Sequence, residues 1–121
     1  MKVYAIRGAI TVDCDTADEV TRRSEELIKK IVSLNKFDYA VSLVISTTKD
    51  ITSVYPAKAV RESGIIDVPL FSCVEPDITG SLPLCIRMLL TVCSENDDAV
   101  ARHSYLRGAS VLRKDLADEN L

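Results

Sequence analysis

The chain has 121 residues, 47% hydrophobic and 27% charged, with a formal net charge of −3. This is one domain, residues 1–121, long enough to bury a core. The acidic balance speaks against a general nucleic-acid binder, and no run reaches the ~18 apolar residues of a membrane span. Four cysteines without a C-x-x-C pair, beside a single histidine, argue against a metal site and for a cytoplasmic chain with reduced thiols. MKVYAIRGAI has too little apolar length before Arg7 for a signal peptide.

Lys2 to Val12 reads as a strand. Val3, Ala5 and Arg7 share one face and Tyr4, Ile6 and Gly8 the other, because strand side chains alternate. Gly8 leaves room for backbone or ligand to come close. Thr16 opens a helix: Thr16-Ala17-Asp18-Glu19 fits a capping box, in which the Thr oxygen takes an orphan N–H and Glu19 reaches back. Val20, Leu27, Ile28, Ile31 and Leu34 form its apolar stripe. Arg22, Arg23, Glu25, Glu26, Lys29 and Lys30 make a solvated face, and Asn35 is the stop.

Tyr39 to Ser46, YAVSLVIS, is a second strand, followed by a polar turn from Thr47 to Asp50. Pro56 suits the first turn of a second helix and Gly64 its end. Lys58 and Arg61 share one face of it, which is either a solvated basic edge or one wall of an anion site. The tail from Lys114 to Leu121 is polar and terminal, and mobility is expected there.

The most informative stretch is VPLFSCVEPDITGSLPLCIR, from Val68 to Arg87. It starts as a strand, turns through Pro76 to Pro83, and resumes as an apolar strand that carries one charge, Arg87. An arginine in LCIRMLLTVC must face a partner, a cavity or an interface, because burying an unpaired charge is costly. Glu75 is the nearest acid that can share its site; a structural ion pair and a functional one are both open. Ser94 to Asp98 is an acidic turn, and Ala99 to Val111 stays ambiguous between helix and strand.

The order is therefore strand, helix, strand, helix, strand, strand: an α/β (α+β) fold with a mixed sheet and two main helices. Two helices cover one sheet face. The other is also apolar, and self-association is the simplest cover for it. Pooling the unusual charges gives Arg7, Lys58, Arg61, Arg87 and Arg113 around one acid, Glu75. Guanidinium forks match carboxylates. No Ser/His/Asp set, thiol–imidazole pair or Gly-rich phosphate loop accompanies them, and His103 reads as packing or surface. The implied site binds a small polyanion without an obvious nucleophile or base.

These segments carry a resemblance to the monofunctional, Bacillus-type chorismate mutases. It rests on IRGAITV with Arg7, VYPAKAVRE with Lys58 and Arg61, VEPDITG with Glu75, LCIRMLLTV with Arg87, RHSYL with Tyr105 and VLRKDL with Arg113. It implies a homotrimer with a pseudo-α/β-barrel core, active sites at subunit interfaces, and rearrangement of chorismate to prephenate on the route to phenylalanine and tyrosine, without a cofactor. Arg7 resembles the arginine that grips a substrate carboxylate, Arg87 the one aimed at the ether oxygen, and Glu75 the acid that accepts from the ring hydroxyl. Tyr105 matches a tyrosine near the side-chain carboxylate and Arg7. Tyr55, Lys58, Arg61, Leu112 and Arg113 match residues that wall or cover the pocket, and Leu70, Phe71 and Ser72 complete the substrate-binding set. Ser72 stands where a cysteine is usual and Tyr55 where a phenylalanine is usual. The rival readings are a small trimeric imine or enamine deaminase and a non-catalytic carboxylate-binding trimer.

Overall fold

A computed structural model describes residues 1–117. Strand β1 (Lys2–Thr11) leads to helix α1 (Ala17–Leu34), strand β2 (Tyr39–Thr47), helix α2 (Pro56–Ser63), strand β3 (Leu70–Val74) and strand β4 (Cys85–Ser94). The ambiguous stretch before the tail contains both kinds of structure: a short strand, β5 (Ser104–Leu106), then a 3-10 turn, Arg107–Val111. A last helical turn, α3, covers Lys114–Ala117; the rest of the expected mobile tail lies outside the described residues.

The five strands form one mixed sheet in the order β3-β2-β4-β1-β5. β4 runs antiparallel between β1 and β2, while β5 is parallel to β1 and β3 to β2. Alternation decides the two faces. Ile6 and Ile10 of β1, Leu43 and Ile45 of β2, and Ile86 and Leu90 of β4 are buried against the helices. They meet Val20, Leu27, Ile28 and Ile31 of α1 and Val60 of α2 in one core. Burying such side chains contributes about 1.5–3 kcal/mol each. Gly8 lies on this covered face, where a Cβ would stand 2.6 Å from Ile31 Cδ1 and 3.1 Å from Leu27 Cδ1. The close approach expected at Gly8 is therefore that of α1 and not of a ligand.

Neither α1 nor α2 covers the opposite face. Val3, Tyr39, Phe71 and Leu89 are exposed there. At one end of this face a second small cluster closes, in which Ala9, Cys85, Tyr105 and Ala109 are covered by Leu82 and Leu112.

The helix ends follow their sequence signals, with some changes of partner. Thr16 Oγ1 accepts from Glu19 N–H at 3.2 Å, but Glu19 does not reach back to Thr16. Its carboxylate takes the N–H of Asp13 at 2.9 Å instead. Asn35 ends α1 in extended backbone, tied by its amide to Ile31 O, Arg102 O and Arg102 N–H. Gly64 adopts φ 69° after α2, a left-handed conformation that glycine enters without steric cost. The charged face of α1 is not wholly solvated. The Arg23 and Glu19 side chains are only 12% and 8% exposed and lie 3.3 Å apart, and Arg23 also pairs with Glu26.

Candidate active site

The open sheet face carries the charges. Arg7 of β1 is paired with Leu89 of β4, and Ala9 with Arg87. Arg7 and Arg87 are thus diagonal neighbours on adjacent strands, on the same side of the sheet. Tyr105 of β5 stands beside Ala9 on the far side, and Ser46 of β2 stands opposite Arg87. Arg7, Arg87, Tyr105, Ser46 and Cys73 line a cavity of about 240 Å³.

Glu75 follows β3 and is anchored by its backbone, whose N–H donates to Thr47 O at 2.7 Å. Arg87 Nε lies 3.3 Å from Glu75 Oε1; the Arg87 side chain is 45% exposed and that of Glu75 20%. Ser46 Oγ donates to the same oxygen of Glu75. Arg87 is therefore neither buried nor alone. Its aliphatic stem lies among apolar neighbours while its head reaches a carboxylate. Arg7 has no carboxylate partner among the described residues. Its backbone N–H donates to His103 Nδ1 at 2.9 Å, so the histidine expected as packing or surface holds the strand position of Arg7. With Glu75 paired to Arg87 and no carboxylate on Arg7, the site keeps an excess of positive charge.

The turn that leads into β4 is braced from β2. Thr48 N–H donates to Cys85 O at 3.0 Å, and Cys85 N–H donates to Thr48 Oγ1 at 3.0 Å. Leu84, at φ 51°, gives its N–H to both carboxylate oxygens of Asp50 at 3.2 and 3.0 Å. A non-glycine residue held in the left-handed region costs of order 1 kcal/mol, and these bonds offset it.

The remaining candidate residues lie apart within one chain. Ser72 pairs with Ile45 and so faces the helical side, away from Arg87, while Phe71 pairs with Val44 on the open face. Ser72, Tyr55 and Lys58 line a larger cavity of about 750 Å³. Arg61 and Leu70 line another of about 480 Å³, so the two cations that share one face of α2 open onto different hollows. Leu112 covers the small cluster beside Tyr105. Arg113 is exposed and pairs with Asp115 at 3.0 Å. The chain thus brings Arg7, Glu75, Arg87 and Tyr105 together and leaves Tyr55, Lys58, Arg61 and Arg113 elsewhere.

Ser46 was not among the residues expected from sequence. The available signal was its place in YAVSLVIS, a hydroxyl on the same strand face as Val44, but its partner lies 29 residues on.

The free, exposed thiol of Cys73 lines the cavity. Burial pushes the nearby Cys85 thiol up to about 11, which keeps it protonated and unreactive. Among the described residues no three His, Cys, Asp or Glu side chains gather as a metal site, and no helix is long and apolar enough to cross a membrane. The arrangement can hold an anion and place positive charge at a second point a strand away.

Residues 3–116 match the family model for chorismate mutase type I. The chain is 42% identical over 120 residues to the chorismate mutase AroH of Bacillus subtilis, covering 97% of this chain and 94% of the relative. It is 38% identical over 117 residues to that of Thermus thermophilus, covering 94% and 96%. The solved chorismate mutase of Clostridium thermocellum superposes with a TM-score of 0.82 at 37% identity, over 89% of this chain and 98% of that one.

Proposed function

The chain belongs to the chorismate mutase type I family, and from that membership we propose the roles of its site residues and the assembly that completes the site. The protein is an isomerase that converts chorismate to prephenate in aromatic amino-acid biosynthesis.

The reaction is a Claisen rearrangement, one cyclic movement of electrons with no proton transfer and no covalent intermediate. An enzyme helps it by holding the folded, reactive conformer and by placing positive charge where negative charge grows. Arg7 grips a substrate carboxylate. Arg87 meets the ether oxygen, which gains charge as the C–O bond breaks. Glu75 accepts from the ring hydroxyl and fixes the substrate's orientation, and Tyr105 borders the side-chain carboxylate beside Arg7. Arginine suits both cationic places because it stays protonated and presents a fork of donors. The observation that carries this reading is the pair of guanidiniums on one sheet face, of which Arg87 meets Glu75 and Arg7 meets no carboxylate among the described residues.

Tyr55, Lys58, Arg61, Leu112 and Arg113 wall the pocket, with Leu70, Phe71 and Ser72 on the strand beside it. Several of these lie outside the small cavity of one chain, so a neighbouring subunit supplies them. The exposed apolar side chains of the open face, Val3, Phe71 and Leu89 among them, supply the contact. The assembly is a homotrimer whose three sheets form a pseudo-barrel core, and it works in the cytoplasm on a small dianion with no cofactor.

The test is to incubate the protein with chorismate and follow the decay of its ultraviolet absorbance, with native mass spectrometry on the same sample. Decay of chorismate to prephenate by a trimer is expected. Unchanged chorismate, or ammonia released from an imino acid instead, would overturn the reading. A fully active monomer would overturn the shared site.

A further inference from the structure

We infer that Ser46 is a positioning residue for the rearrangement, one that assigns different tasks to the two oxygens of Glu75; this rests on the roles just given to Glu75 and Arg87. Ser46 Oγ and Arg87 Nε converge on one atom, Glu75 Oε1. Among the described residues no hydrogen bond reaches Glu75 Oε2, and none uses the terminal nitrogens of Arg87. The geometry therefore has an anchored half and a free half. Oε1 and Nε hold each other and the strand, while Oε2 and the guanidinium fork are left for substrate.

The hydroxyl is needed for that division. A carboxylate on a chain segment just beyond β3 can rotate about its terminal torsion, which is broad and roughly two-fold. With Arg87 alone, either oxygen, or both, can meet the guanidinium, because bidentate pairing is the favoured geometry of such a pair. Bidentate pairing would turn the fork of Arg87 toward Glu75 and away from the ether oxygen. A donor fixed on β2, directly across from Arg87 in the register, holds one oxygen and keeps the pair one-sided. Ser46 also stands on a strand paired on both edges, with β4 and with β3, so its hydroxyl starts from a rigid backbone.

The sharpest test compares two isosteric variants, Ser46→Thr and Ser46→Val, which have the same shape and differ in the hydroxyl. Both are β-branched and suit a strand. We expect Ser46→Thr to keep kcat within about twofold of the parent protein and Ser46→Val to lower it by roughly tenfold or more, the scale of one hydrogen bond to a charged group. Thermal unfolding and native mass spectrometry on both variants check that fold and assembly are equal. Equal kcat in the two folded variants overturns the inference, and leaves the activity assignment standing as long as the parent protein turns over chorismate. A second measurement separates positioning from shape. In a Glu75→Ala background the Thr and Val variants should have the same residual rate, because no carboxylate remains to be held. A tenfold gap that persists there would show that the hydroxyl acts without Glu75, and the proposal would fall.

Discussion

Two clusters of arginine and carboxylate lie on opposite sides of the same sheet, and they are balanced differently. On the helical side, Arg23 pairs with Glu19 and Glu26, and Arg107 takes Glu26 through Nε and Nη2 at 3.1–3.2 Å. Glu19 is also held by the N–H of Asp13, which keeps its carboxyl below the usual range. Three arginines there, Arg22 included, meet three acids, Asp18, Glu19 and Glu26. On the open side, Arg87 meets Glu75, and Arg7, which lines the same cavity as Arg87, meets no carboxylate among the described residues. A charge-balanced network closes a fold, tying the turn after β5 to α1, whereas one with an excess of cations is a place for a ligand's negative charge. Arginine content alone would not separate the two; the carboxylates around each arginine do.

The largest effect expected from breaking this contrast is at Arg87. Charge on the ether oxygen is greater in the transition state than in the bound substrate, so a cation there raises turnover. Arg87→Gln should lower kcat by about 10²–10³-fold, the scale of one preorganised donor, with a smaller effect on KM. Arg87→Lys should recover part of the loss, since charge survives without the fork. Arg7→Gln should act mainly on KM, because a carboxylate is charged throughout the reaction. Steady-state kinetics on the folded variants would read this, and near-normal turnover in Arg87→Gln would make the open-face pair structural like its counterpart.

Breaking the balanced side should do the reverse. Arg23→Gln leaves the buried Glu19 carboxylate with fewer donors, a loss of about 2 kcal/mol for bonds to a charged group. Denaturant unfolding should show it, with kcat unchanged at a temperature where the variant is folded. A variant with unaltered stability and reduced kcat would mean that the helical network reaches the site.

Arg23 also marks where sequence reasoning stopped. Periodicity placed α1, and alternation placed Arg7 opposite Gly8, because burial on one face of an element is a local pattern. The solvated face of α1 was a local inference too, and it failed where a long side chain folded back onto residues three and four positions away. β5 stayed open between helix and strand because a strand of three residues has no period to read; it exists through pairing with β1, nearly a hundred residues earlier. The charged residues of the site were legible as types that an apolar strand does not tolerate. Ser46 was not, since serine is unremarkable in a strand and its meaning depends on Glu75. The split of pocket-wall residues among separate cavities was likewise hidden, because it depends on surfaces that one chain leaves open.

Acid should reach the structural carboxylates while leaving the neutral-pH chemistry alone. Asp15 is held down at about 2 by hydrogen bonds from Thr52 and Ser53, against about 3.9 for a free aspartate. Its folded value lies below its unfolded one, so its contribution is present above the unfolded value and is lost as pH falls from about 4 towards 2. Glu19 is shifted in the same direction. Stability should therefore decline in that acid window, and Asp15→Asn should flatten part of the decline. kcat should stay nearly level across neutral pH and in heavy water, because no side chain transfers a proton in the rearrangement. A bell-shaped profile with limbs near neutrality would instead report an essential acid and base.

The smallest expected effect is at a second unpaired polar group, this one on the covered side. Ser104 is fully buried, and its Oγ has no hydrogen-bond partner among the described residues. It stands beside Gly8 in the β1–β5 pairing, on the face packed by α1. An unpaired guanidinium on the open face has water until an anion arrives; an unpaired hydroxyl in the core has neither water nor a partner, and its desolvation is pure cost. Removing it should help. Ser104→Ala should raise stability by about 1 kcal/mol, the low end of the penalty for a buried unsatisfied group, reduced by the small cavity that a lost oxygen leaves. Kinetics should not move, even though Tyr105 is the next residue, because neighbouring strand side chains point to opposite faces. Equilibrium unfolding of Ser104→Ala beside its kinetics on chorismate reads both quantities. A loss of stability would mean that the hydroxyl has a partner in the assembled protein. A change in kcat would mean that the two faces of the sheet are coupled at β5, and that the contrast between a closed network and an open site does not hold at that edge.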